Sequence, residues 1–108
     1  MGFFDFLKGK PYKMDSLNIV EKAAAEAAME AAIRFGGDGR NVNIAGALKS
    51  FRKGAVNKEE LSTIIACVTL ALAAMKGSED PDRSTELQKK QITVVSMVMA
   101  LDKLRKML

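Results

Sequence analysis

Residues 61–75 read LSTIIACVTLALAAM and contain no charged side chain. A helix that is apolar on nearly all sides must be surrounded by protein or by lipid. A membrane span needs about 20 apolar residues, whereas this run is 15 residues long and is flanked by charged residues at 58–60 and at Lys76. We therefore expect residues 61–75 to form the central helix of a folded core.

Both ends of this central helix carry the residues that begin and end helices. Asn57 is a favourable N-cap, and Glu60 stands three residues later, as in a capping box. Lys76 suits the negative end of the helix dipole, and Gly77 can end the helix. The pattern predicts a helix over about 58–76.

Apolar periodicity and cap residues predict three further helices. The first is rich in alanine, which has the highest helix propensity, and it follows the cap residues Asp15 and Ser16. The second repeats Ile44, Leu48 and Phe51 at i, i+4 and i+7, which is one helix face. The last begins at a Ser-Thr pair and ends in a basic turn that suits the dipole. The sequence predicts an all-α fold, a compact four-helix bundle with helices over about 16–35, 43–53, 58–76 and 84–106.

The last predicted helix contains a second uncharged run. Residues 91–101 read QITVVSMVMAL, and we expect the middle of this helix to be buried much like the central one. Its β-branched residues leave a local strand possible, but the length of the segment and the helix formers beside it favour a helix.

The chain of 108 residues is expected to form one domain. Residues 1–13 are predicted to be an N-terminal aromatic and basic segment with a linker, and residues 14–108 a single helical domain. Cys67 is the one cysteine, so no internal disulfide can form. A lone cysteine on an apolar helix fits a reducing compartment, and we expect a cytoplasmic protein.

The residue types argue against catalysis and against a bound cofactor. The chain has no histidine, so it lacks the usual acid–base residue at neutral pH. Cys67 lies in the most apolar helix, where a thiolate is disfavoured. The segment from Gly54 to Glu60 resembles the second half of an EF-hand loop, but Lys49, Phe51 and Lys53 stand where calcium needs oxygen ligands. We expect a protein that is not an enzyme and has no metal, cofactor or small-molecule substrate.

Surplus apolar helix surface favours a role in protein–protein interaction. Two helices with uncharged middles are difficult to bury in one small monomer, and the first helix presents many small alanine side chains. The sequence predicts a non-catalytic helical interaction or assembly module, which forms a homo-oligomer or docks a protein partner. The candidate interface residues are aromatic or small: Phe3, Phe4, Phe6, Leu7, Ala24 and Ala28.

One alternative is an accessory protein that binds nucleic acid. The chain has a net charge of +4, and residues 40–58 contain five basic residues and no acidic one. Basic side chains on a helix can contact phosphates, and such binding weakens steeply with salt. The candidate phosphate contacts are Arg40, Lys49, Arg52, Lys53 and Lys58.

Another alternative is peripheral attachment to a membrane surface. The N-terminal Phe3, Phe4, Phe6 and Leu7 have lysines nearby, and such a segment can lie in a membrane interface. A short segment of this kind gives marginal affinity by itself. The same residues can instead pack on the helical core or on a partner.

Overall fold

The computed structural model describes residues 11–36, 41–77 and 80–108, and in those ranges the chain is mostly helical. The α-helices are α1 (Ile19–Gly36), α2 (Asn41–Lys53), α3 (Lys58–Gly77), α4 (Pro81–Lys89) and α5 (Val94–Met107). The strands are β1 (Tyr12–Lys13) and β2 (Ala55–Val56), and a 3₁₀ turn spans Met14–Ser16. The all-α class is confirmed. The prediction of four helices is wrong, because the described residues form five and the segment 84–106 is not one helix.

The last predicted helix is interrupted between α4 and α5. The Ile92 N–H donates to the Leu87 carbonyl at 3.0 Å, and the Gln91 N–H donates to the Gln88 carbonyl at 2.9 Å. This pair of bonds is a Schellman motif, which ends a helix at a residue in the left-handed conformation. Gln91 is that residue, with a φ of 62°. Ile92 and Leu87 are both buried, which supplies the apolar contact that accompanies the motif.

The helices on either side of this interruption have their own caps. α4 begins after Asp80, whose side chain accepts a hydrogen bond from the Arg83 N–H at 3.2 Å, and Pro81 occupies the first helical position. α5 begins after Thr93, whose hydroxyl accepts from the Ser96 N–H at 3.1 Å. The sequence predicted one helix that starts at Ser84 or Thr85, whereas the structure has two helices, which start at Pro81 and at Val94.

Two capping boxes begin α1 and α3. The Asn57 side chain accepts from the Glu60 N–H at 2.7 Å, and Glu60 accepts from the Asn57 N–H at 2.8 Å, as predicted. The same exchange occurs between Asn18 and Glu21, with both distances 2.8 Å. α1 therefore begins at residue 19 and not at 16, because the 3₁₀ turn takes up residues 14–16.

A short antiparallel sheet joins the start of the described chain to the segment before α3. Tyr12, which the sequence places in a linker, lies opposite Val56. The Met14 N–H donates to the Gly54 carbonyl at 2.9 Å, which extends the pairing by one bond. Val56 is buried. The sheet therefore fixes the position of the chain before α1 relative to the turn between α2 and α3.

The core lies where α1 packs against α3, with α2, α4 and α5 beside them. The small side chains of α1 let its neighbours approach closely. Its buried alanines are Ala24, Ala25, Ala27, Ala28, Ala31 and Ala32. The buried residues of α3 follow helical spacing and are Leu61, Ile64, Cys67, Val68, Ala71 and Ala74.

Two predictions about burial are corrected by this arrangement. α3 was expected to be covered on nearly all sides, but its neighbours meet one stripe of the helix and leave Leu70 56% exposed. The middle of the segment 91–101 was expected to be buried in the same way, but Val95 is 68% exposed. Both helices are apolar on two sides, and only one side of each packs against the described residues.

Two glycines near α2 provide a test of the turn that precedes β2. Gly54 has a φ of 100°, whereas Gly46 lies inside α2, and a Cβ added at either position meets no atom within 4 Å. Gly54→Ala should lower the free energy of unfolding by about 1 to 2 kcal/mol, because the left-handed conformation is strained with a Cβ. Gly46→Ala should raise it by up to about 1 kcal/mol through helix propensity. Equilibrium unfolding in urea measures both, and equal effects of the two substitutions would contradict this account of the turn.

Candidate interaction surfaces

An uncharged surface runs along the exposed side of α3, and we call it the α3 outer face. All of its side chains are small except Leu70. The Thr69 hydroxyl donates to the Ile65 carbonyl at 2.7 Å, so its hydrogen bond is made within the helix. The residues of the face are Ser62, Ala66, Thr69, Leu70 and Ala73, all of them exposed.

A second exposed apolar surface lies on the first half of α5, and we call it the α5 outer face. Its members are all apolar, and none of them is as small as an alanine or a serine. The opposite side of α5 is buried, and the helix packs against α1 and α3. The two outer faces therefore lie on helices that contact each other. The residues of the α5 outer face are Val94, Val95, Val98 and Met99.

The structure places the predicted interface residues in two different situations. Ala24 and Ala28 are fully buried in the core. They contact the chain's own helices, so a docked partner does not reach them in this conformation. The other predicted interface residues lie outside the described residues, and they are Phe3, Phe4, Phe6 and Leu7.

Sequence reasoning did not single out the two outer faces. An apolar run shows that a helix is buried somewhere, but it does not show which side its neighbours cover. One signal for the α3 outer face was present: Ser62 and Thr69 are polar and stand seven residues apart, which puts them on one side of a helix. No comparable signal marks Val95 or Met99.

The predicted phosphate-binding residues are partly brought together on α2. Lys49, Lys53 and Lys58 are exposed and form no ion pair with another described residue. On α2, Lys49 and Lys53 border a shallow groove of about 520 Å³ whose other lining includes Leu48. Arg40 lies outside the described residues.

Arg52 borders the same groove but is already paired. Its Nη2 lies 3.1 Å from Glu30 Oε2, and its Nε lies 3.5 Å from Glu26 Oε2. These two carboxylates of α1 neutralise the guanidinium and would repel a phosphate. Residues 40–58 therefore present less positive charge to a phosphate than their sequence suggests.

The described residues show no activated nucleophile and no metal site. Burial raises the pKa of the Cys67 thiol to about 11, although the positive charge of Arg83 acts to lower it. The thiol is therefore protonated at neutral pH. Within residues 11–36, 41–77 and 80–108 no three His, Cys, Asp or Glu side chains lie close enough together to hold a metal ion.

A buried ion pair joins the end of α5 to the start of α1. Glu21 is 1% exposed, and its Oε1 accepts from Lys103 Nζ and from the Asn18 N–H, each at 2.8 Å. Lys103 Nζ also donates to the Ser16 carbonyl at 3.0 Å. The hydrogen bond from Lys103, followed by that from Asn18, holds the pKa of Glu21 below its ordinary value of 4.5. This pair fixes how α5 lies along α1.

Of the helices in the described ranges, α3 alone is long and apolar enough to cross a membrane by length and composition. Its most apolar 18-residue window is 33% buried in the domain. The buried stripe of α3 contacts α1, α2, α4 and α5. Core helices commonly have this composition, so the finding is weak support for a membrane span.

Comparisons with protein families, with characterised proteins and with solved structures give no match for this chain.

Removing the cation of the buried pair should destabilise the fold. We expect Lys103→Met to lower the free energy of unfolding by about 2 to 3 kcal/mol, because Glu21 stays buried without its partner and Lys103 itself is 37% exposed. Lys106→Met is the matched control on α5. Its pair with Asp102 is exposed, so the loss should be at most about 1 kcal/mol. Thermal and urea unfolding measure both variants.

The same pair should make stability depend on pH in the acid range. Because folding lowers the pKa of Glu21, the unfolded chain binds more protons there, so the stabilisation is present above pH 4.5 and is lost as the pH falls through the folded pKa. The stability difference between wild type and Glu21→Gln should therefore shrink as the pH falls below 4.5. A difference that stays constant over this range would show that Glu21 does not titrate in this way.

Proposed function

We propose that this chain is a non-catalytic helical interaction or assembly module that binds protein through the α3 and α5 outer faces. The observation that carries the proposal is the exposure of large apolar side chains on two contacting helices, with Val95 68% and Leu70 56% exposed. Neighbouring exposed apolar residues favour a binding surface more strongly than scattered ones do. The binding partner is either a different protein or a second copy of this chain.

The chemistry of the α3 outer face supports protein binding in particular. The face has no charged residue to desolvate, and the Thr69 hydroxyl is already bonded to the Ile65 carbonyl. Burying such a surface releases about 25 cal/mol per Å² of apolar area without a large polar penalty. The backbone beneath it is helical, so little ordering is needed when a partner binds.

A cytoplasmic location is part of the same proposal. Cys67 is a free, buried thiol. Its protonated state at neutral pH suits a structural role in a reducing compartment.

The proposal is tested by placing a charge on each face. We expect the tagged wild-type chain to form crosslinked complexes inside its own cells. Leu70→Glu and Val95→Glu should abolish these complexes, because a buried carboxylate without a partner is costly. Ala23→Glu puts the same charge on an exposed position of α1 and should keep the complexes. Melting temperatures show whether each variant is folded. Identical crosslinked species in all the folded variants would rule out both faces as binding surfaces.

Nucleic-acid binding through α2 is the second candidate function. The exposed lysines at 49, 53 and 58 favour it, while the Glu26 and Glu30 carboxylates beside Arg52 oppose it. Attachment to a membrane through Phe3, Phe4, Phe6 and Leu7 stays a prediction, since those residues lie outside the described ranges.

A salt titration decides the nucleic-acid candidate. If α2 contacts phosphates, the double variant that carries Lys49→Ala and Lys53→Ala should bind duplex DNA or RNA more weakly than wild type at low salt. The slope of log affinity against log salt should fall by about 2, one for each lost contact. Lys89→Ala with Lys106→Ala, also exposed, is the control and should leave the slope unchanged. No binding by the wild-type chain at low ionic strength would eliminate this candidate.

A further inference from the structure

We infer that a second copy of this chain covers the α3 outer face, with the two α3 helices antiparallel across a two-fold axis. This inference rests on the proposed function, since it names the partner for one of the two outer faces. It follows from the side chains of the face and from the charges at its two ends.

The α3 outer face is suited to another helix of the same kind. Its small residues stand at 62, 66, 69 and 73, a spacing of four, three and four that keeps them on one line along the helix. Small side chains allow two helix axes to approach to about 8 Å. A partner helix with large side chains on its contacting side could not approach as closely. A second α3 has small side chains at the same positions.

The charges at the ends of the face determine the direction of pairing. Glu59 lies before the face and Lys76 lies after it, and both are exposed. Neither forms an ion pair with another described residue. They are about 26 Å apart along the helix at 1.5 Å per residue, so they cannot pair within one chain. The first turn of α3 carries one net negative charge, from Lys58, Glu59 and Glu60.

An antiparallel pair satisfies both ends at once. With the two-fold axis at the level of residues 67–68, Glu59 of each copy lies opposite Lys76 of the other. The same register sets Ser62 opposite Ala73 and Ala66 opposite Thr69, so small residues meet along the whole contact. It also aligns the helix dipoles favourably. A parallel pair would instead place Glu59 beside Glu59 and Lys76 beside Lys76.

Leu70 provides the one large apolar contact of this interface. In the same register it lies beside Ala66 of the other copy, which leaves room for its side chain. On its own chain Leu70 borders a hollow of about 180 Å³ with Ala73 and Arg83. The α5 outer face is not used by this pairing and stays available to a different partner.

Charge reversal tests the pairing in the intact chain. Sedimentation velocity over a concentration series should show a monomer–dimer equilibrium for the wild type. Glu59→Lys and Lys76→Glu should each raise the dissociation constant about tenfold, because each turns two attractive pairs into repulsive ones. The double variant carrying both changes should return it to within about threefold of wild type. Lys89→Glu reverses an exposed charge on α4 and should have no effect.

The outcomes separate this inference from the proposed function. A dimer that the single reversals do not weaken, or that the double variant does not restore, shows that copies meet through another surface, and Val95→Glu then tests the α5 outer face. A wild-type chain that stays monomeric at every concentration overturns the inference. If Leu70→Glu still abolishes the crosslinked complexes in that case, the proposed function stands with a different protein on the α3 outer face. Melting temperatures show that each variant is folded.

Discussion

The contact between the alanine side of α1 and the buried stripe of α3 determines where the other elements lie. Alanine keeps the two helices close, and the remaining sides of α1 accept α2, α4 and α5. Because the described neighbours of α3 all meet its buried stripe, no helix within the described ranges covers its opposite side. The exposed face therefore follows from the packing arrangement, and the composition of α3 alone does not decide it.

The sequence predicted the parts of the fold that depend on local signals. The capping box of Asn57 and Glu60 begins α3 as expected, and Ile44, Leu48 and Phe51 form the buried side of α2. The interruption before α5 was missed because a glutamine takes the left-handed position that glycine usually occupies. The pairing of β1 with β2 joins residues more than 40 positions apart, and strands of two residues leave no periodic pattern to recognise.

The sequence predicted surplus apolar helix surface, and the structure exposes apolar side chains on α3 and α5 at positions that the sequence did not indicate. Surplus apolar helix surface could be expected from the uncharged runs at 61–75 and 91–101. Which residues remain exposed depends on tertiary packing, so Leu70 and Val95 could not be separated from Ile64 and Met97 by sequence. The two alanines chosen for the interface, Ala24 and Ala28, have the small size that close contact requires. In the structure, these two small side chains pack against the other helices inside the domain.

The composition of the α3 outer face also limits how strongly it can bind. Four of its five residues expose only a methyl, a hydroxyl or both, so the apolar area per residue is small, and a monomer can expose it to water at modest cost. A leucine-rich face in the same place would favour permanent association. The α5 outer face places three valines and Met99 on a shorter length of helix, so its apolar side chains are more concentrated. In the proposed assembly the two faces therefore differ in expected strength of binding, with the α3 outer face suited to reversible pairing and the α5 outer face to a firmer contact.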